Sequence, residues 1–162
     1  MEIRLRSMTS IYIRHGTKHL LLYRIGSRVV PPSWCGIGGH FEKDELNTPQ
    51  AAMLRELGEE IGLTENDLEN ISLRYMTSRL KNGEIRQNFY YFADLRENVK
   101  VNMECSEGKL EWIEGGNLPF EEMPHTAKHI LKHYMEIGKS NDILYIGAAA
   151  ENGVILHELV AF

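Results

Sequence analysis

Between Gly38 and Leu63 the chain reads GGHFEKDELNTPQAAMLRELGEEIGL, a double glycine, a helix-forming run and then the carboxylates Glu56, Glu59 and Glu60. Thr48-Pro49 marks a helix start: the threonine hydroxyl is a candidate cap, and proline loses no hydrogen bond at the first helical position. Gly62 is the expected C-terminal stop. At about 100° per residue, Ala51, Met53, Leu54, Leu57 and Ile61 fall on one apolar arc with Gly58 at its edge. The three glutamates fall on the other, with Ala52 between them and Arg55 at the margin. A small residue there leaves room for a ligand over the acidic face.

Like charges so closely spaced on a helix repel one another, so a cation is expected against them. Oxygen donors at that density suit a hard ion, Mg²⁺ or alternatively Mn²⁺. A solvated acidic face would carry the same triplet. The glycines ahead of the helix and the adjacent Arg55 favour a phosphate site instead.

Arg55-Glu56-Leu57-Gly58-Glu59-Glu60-Ile61-Gly62-Leu63 resembles the second half of the Nudix box, REUxEExGU, at every fixed position, and Gly39 and Glu45 fit its first half. The interval from Glu45 to Arg55 is two residues longer than the usual pattern, with the extra length expected in Leu46-Asn47-Thr48-Pro49. The resemblance implies an α/β fold, a Nudix-type α/β/α sandwich around a mixed β-sheet. It also implies a metal-dependent pyrophosphohydrolase in which Glu56, Glu59, Glu60 and the Gly39 carbonyl are metal ligands. Either Glu56 or Glu59 would serve as general base, and Arg55 would orient the glutamates. Relatives of this kind often add a loop acid, for which Glu107 is the candidate, with Glu104 and Glu111 as weaker alternatives. Arg24 matches a position where MutT-like members carry a phosphate-binding arginine. Trp34, Phe89 and Tyr91 are candidates to stack on a base, although aromatics at such spacing are more often core.

The rest of the chain is consistent with one domain over residues 1–162, with the box at 39–63. Hydrophobic residues make up 43% and charged residues 25%, as in ordinary globular proteins. The formal charge of −5 argues against a nonspecific nucleic-acid partner. Cys35 and Cys105 stand in no ligand-like spacing and read as free thiols of a reducing compartment. With Arg4 and Arg6 at an N-terminus that has no apolar core, and no membrane-length run, a cytoplasmic location is expected.

Strands are expected at Met8–His15, His19–Arg24, Trp34–Phe41, Ile71–Leu80, Glu84–Leu95 and Lys109–Glu114, with a loop from Val29 to Ser33 and a tight turn at Asn82-Gly83. An amphipathic helix follows over His125–Ile137, whose His125, His129 and His133 form a stripe expected to face solvent. A final β-hairpin over residues 143–159 looks like an appendage, covering an edge or joining a second copy in a homodimer.

The leading substrates are nucleoside triphosphates, oxidised (8-oxo-dGTP) or pyrimidine, cleaved to monophosphate and pyrophosphate. The alternatives are an ADP-ribose or dinucleoside polyphosphate hydrolase, and a noncatalytic nucleotide sensor. Thr77-Ser78-Arg79-Leu80-Lys81 lacks the proline or tyrosine that marks some subfamilies of the former. The intact acids speak against the sensor.

Overall fold

A computed structural model describes residues 2–26 and 31–159. Of the loop expected from Val29, its first two residues lie outside this range. Among the described residues nine strands form one mixed sheet: β1 (Arg4–His15), β2 (Lys18–Arg24), β3 (Ser33–Cys35), β4 (Leu68–Lys81), β5 (Glu84–Leu95), β6 (Glu104–Cys105), β7 (Gly108–Glu114), β8 (Leu144–Ala150) and β9 (Gly153–Leu159). Their order is β6-β7-β2-β1-β5-β4-β8-β9, with β3 attached to β2. The pairs β1–β5 and β4–β8 are parallel and the other strand pairs antiparallel.

Helices α1 (Pro49–Ile61) and α2 (His125–Glu136) cover the two faces. Strand alternation divides the core accordingly. Ile11, Ile13, Phe89 and Tyr91 pack with Met53 and Leu57 of α1, while Tyr12, Tyr90 and Phe92 pack with Ile130 and Leu131 of α2. Being buried on both faces, β5 reads as the nearly unbroken apolar run Phe89-Tyr90-Tyr91-Phe92-Ala93. This is the expected α/β/α sandwich.

β1 pairs with β2 only over Ile13–His15, and then the two strands diverge. The glycine-rich segment enters that split. Ile11 and Ile37 exchange backbone bonds, Thr9 N–H donates to the Gly39 carbonyl at 2.9 Å, and Phe41 N–H donates to Ser7 at 3.0 Å. One continuous strand from Trp34 to Phe41 is therefore not formed: its first part pairs with β2 and its second part with β1. Gly38, at φ +151°, has no room for a Cβ, which would overlap the Thr9 carbonyl.

Several local expectations change. Thr48 makes no side-chain cap; its hydroxyl donates to the Glu45 carbonyl at 3.4 Å, and proline at the next position sets the helix start. Gly62 stops the helix in the left-handed region as expected, its N–H donating to Gly58 at 3.0 Å. The buried face of α1 is rotated toward the acids: Ala52 is fully buried and Ala51 exposed. Ala52 therefore packs on the protein and opens no space for a ligand.

The C-terminal hairpin is no appendage, because β8 extends the sheet beyond β4 and α2 packs on β9. The histidine stripe is half-buried against it rather than fully solvated. His125 Nε2 bonds the Ala150 carbonyl at 3.0 Å, and the Tyr75 hydroxyl meets His133 Nδ1 at 2.8 Å.

On the α2 side, His19 is 4% exposed, and its pKa is depressed to about 4 by burial first, then by the charges of Arg14 and Lys139. The unfolded chain thus takes up this proton first as pH falls. Stability attributable to His19 is full above about pH 6.5, declines as pH drops toward 4, and is flat below, a loss on the order of 3 kcal/mol. Urea unfolding measured across that window should show the slope, and His19→Gln, which cannot take the proton, should flatten it.

Candidate active site

Two arginines organise the acidic end of α1. Arg55 grips Glu45 with both ends of its fork, Nε to Oε1 at 2.7 Å and Nη2 to Oε2 at 3.0 Å. The same guanidinium donates to Glu56 at 3.0 Å, to Glu59 at 3.2 Å and to the His40 carbonyl at 2.9 Å. The two extra residues do not disturb this. Consecutive turns, with Glu45 N–H on Glu42 and Thr48 N–H on Glu45, absorb them before the helix and return the Glu45 carboxylate to Arg55.

Arg24, at the end of β2, donates to Glu60 at 2.9 Å, to Glu107 at 3.0 Å and to the Gly38 carbonyl at 3.1 Å. The Gly38 N–H donates to the other Glu60 oxygen at 3.2 Å. Glu107 thus joins the helix acids, brought in by the tight turn between β6 and β7. Of the alternatives, Glu111 bonds Lys109 at 3.0 Å on the opposite sheet face from Leu110 and Trp112, and exposed Glu104 pairs with Lys109 across β6–β7.

The three helix acids sit in unequal surroundings. The Glu60 and Glu56 side chains are 7% and 15% exposed, whereas Glu59 is 60% exposed. Burial pushes the Glu60 carboxyl above its ordinary range, against the pull of Arg24 and the Gly38 N–H. The bond from Arg55 draws Glu45 below its own, burial opposing. For Arg24, burial lowers the pKa, but bonding and charge from Glu60 outweigh it and the guanidinium stays firmly protonated.

The backbone approach also matters. A Cβ on Gly39 would lie 2.5 Å from a Glu56 carboxylate oxygen, so only glycine lets that carboxylate settle against the main chain. The Gly39 carbonyl is turned to Thr9, and the carbonyl that faces the acids with Arg24 is that of Gly38. Of the two glycine carbonyls, it is that of Gly38 and not the expected Gly39 that lies on the side of the acids.

The donors at this end of α1 are all oxygens, set around a guanidinium held by two carboxylates and a carbonyl. That chemistry fits a hard divalent cation. Among the described residues no three acid, histidine or cysteine side chains converge closely enough to hold an ion in this arrangement, since the carboxylates are drawn toward the two arginines.

The aromatic candidates do not form one platform. Phe89 and Tyr91 are 9% and 2% exposed in the α1-side core, while Trp34 packs on Tyr23 at 5.0 Å toward α2. Phe41, not singled out by the sequence, lies 5.2 Å from Phe89.

A NUDIX domain model matches residues 4–134. The chain belongs to the NUDIX family. Among solved structures, it is similar to a MutT protein from Bacillus halodurans, with 22% identity, TM-score 0.67 and coverage of 93% of this chain and 97% of that one. A NUDIX hydrolase from Nitrosomonas europaea gives 18% identity, TM-score 0.72 and coverage of 92% and 81%. The E. coli ORF135 protein gives 19% identity, TM-score 0.64 and coverage of 86% and 94%. At these identities the likeness concerns the fold. A search among curated proteins returns no match. In this NUDIX domain no described helix is long and apolar enough to cross a membrane.

Gly39→Ala tests the close approach of Glu56. The new methyl pushes a flexible carboxylate rather than backbone, so the fold should survive while kcat falls at least about tenfold, a loss of transition-state binding near 1.4 kcal/mol. Unchanged kcat would show that the position of Glu56 is not critical.

Proposed function

We propose that this chain is a Mg²⁺-dependent pyrophosphohydrolase that cleaves nucleoside triphosphates to monophosphate and pyrophosphate. Membership of the NUDIX family makes it a hydrolase of phosphoric anhydride bonds, acting on small-molecule nucleotides. The observation that carries the finer reading is the gathering of Glu56, Glu59, Glu60 and Glu107 about Arg24 and Arg55 beside the Gly38-Gly39 backbone. Glu56, Glu59, Glu60, Glu107 and the Gly38 carbonyl would hold the cation. Bound there, it would supply neutralisation of phosphate oxygens and a lowered pKa for water.

The chain's own residues do the rest. Arg55 fixes Glu56 and Glu59 in register through charge-assisted bonds. Glu59, exposed and bonded among the described residues to Arg55, is the better placed of the two proposed bases to accept a proton from attacking water. Arg24, with 32% of its side chain exposed, is the proposed contact for a substrate phosphate. Of the three aromatic candidates Trp34 alone is partly exposed, but it packs toward α2, away from the acids, whereas Phe89 and Tyr91 would support the pocket from below. A cytoplasmic location and a homodimer through the exposed side of the hairpin, Ile146 and Ile155, belong to the same reading.

The test is a substrate panel with Mg²⁺ and Mn²⁺ that includes oxidised and pyrimidine triphosphates, ADP-ribose and dinucleoside polyphosphates. Phosphate and pyrophosphate are assayed separately. Pyrophosphate release from a triphosphate supports the proposal. Preferential cleavage of ADP-ribose or a dinucleoside polyphosphate would replace it, and binding without turnover across the panel would identify a sensor.

A further inference from the structure

On the opposite side of the sheet from the carboxylates lies a cavity of about 490 Å³, between the β1–β2 turn, the end of β7 and α2. Its volume is within the range of small-molecule sites. His19 lines it, and the buried Nδ1 of that imidazole has no hydrogen-bond partner among the described residues. A buried ring nitrogen left unpaired is costly, and at this position the catalytic carboxylates make no use of it. Gly115, beside the ring, keeps the wall low: a Cβ there would come within 3.0 Å of the Met135 methyl and 3.7 Å of His19 Cε1.

The charges around the cavity are uneven. Arg14, Lys132 and Lys139 line it against Glu114 and Glu136, an excess of one positive charge in a chain of net charge −5. Just outside the lining, Lys18 lies 4.0 Å from Glu114 and Asp94 bonds Arg14 at 2.7 Å, so these two offsets cancel. Arg14 bonds Asp94 through Nε alone, so its terminal nitrogens are uncommitted to that bond. Lys132 lies 6.0 Å from the centre of the Phe120 ring, which forms the apolar wall with Met135.

We propose that this cavity is a second ligand site, which takes a small organic anion with a flat apolar body. The anionic head sits among Arg14, Lys132 and Lys139, the body lies against Phe120 and Met135, and His19 supplies a polar contact at the floor. His19 and Arg24 stand five steps apart along β2, roughly 17 Å of extended strand, so this ligand and the nucleotide would occupy the protein at once.

The experiment uses the full chain, with a chelator present, and follows the Met135 methyl and His19 ring resonances by NMR. Phenyl phosphate and benzoate are the probes, and inorganic phosphate is the control without a body. Saturable shifts are expected with at least one organic anion, at an affinity at least about tenfold above that of inorganic phosphate; the tighter of the two identifies the head group. Lys132→Glu combined with Lys139→Glu, both exposed positions, should weaken it at least about tenfold, whereas Arg24→Gln should not change it. No saturable shift with either organic anion, equal affinity for inorganic phosphate, or wild-type affinity in the double variant would each overturn the proposal.

Discussion

Glu59→Gln is expected to lower kcat by about two to four orders of magnitude, the range spanned by loss of a positioned base, while Tm stays within about 2 °C. The structural half of that expectation follows from exposure. Glu59 is 60% exposed and, among the described residues, bonds Arg55 at 3.2 Å, and the neutral amide still offers that guanidinium an oxygen. The functional half follows from position, on the accessible side of the acid cluster. Steady-state kinetics together with a thermal melt separate the two. Near-normal turnover in a folded variant would sink both the base and the metal-ligand assignments.

Arg55→Ala should be the most damaging change to both stability and activity. It removes the partner of Glu45 and Glu56, whose side chains are only 12% and 15% exposed, and leaves the His40 carbonyl without its donor. Stripping one member from a buried ion cluster costs about 3–5 kcal/mol; since these groups keep some solvent, a loss of about 3 kcal/mol is expected, or roughly 6–12 °C in Tm. Glu45 adds a pH signature. Its folded pKa is lowered by the Arg55 bond, so that stabilisation is complete above the unfolded carboxylate value and disappears as pH falls through the folded one. In the variant, acid unfolding should begin at higher pH. Arg55→Lys restores charge without the fork and should recover part of the stability but little of the activity. A melt unchanged by Arg55→Ala would show that the arginine does not hold the helix to Glu45.

Much of this arrangement was readable in the chain because its signals are local. Pro49 and Gly62 bound α1, and Asn82-Gly83 turns β4 into β5 with both residues at positive φ. The ten-residue reach from Glu45 to Arg55 survived two extra residues because short turns absorb length before the helix begins. What escaped notice depended on tertiary contact. The histidine stripe has the spacing of a solvent-facing surface, and the docked hairpin together with Tyr75 half-covers it. The rotation of α1 that hides Ala52 reflects packing on β1, which helical periodicity does not encode. The Gly38 carbonyl and the two-residue β6 are backbone features with no side-chain signal. Phe89 and Tyr91 look the same in sequence whether they meet a base or a core.

The two arginine clusters also differ in how the chain must close to build them. The partners of Arg55 lie 1 to 15 residues away, whereas Arg24 reaches across 36 residues to Glu60 and 83 to Glu107. Contacts between distant segments wait on loop closure and form slowly. On refolding, the Arg55 half can therefore assemble with its helix while the Arg24 half awaits the sheet, so that recovery of secondary structure precedes recovery of catalysis.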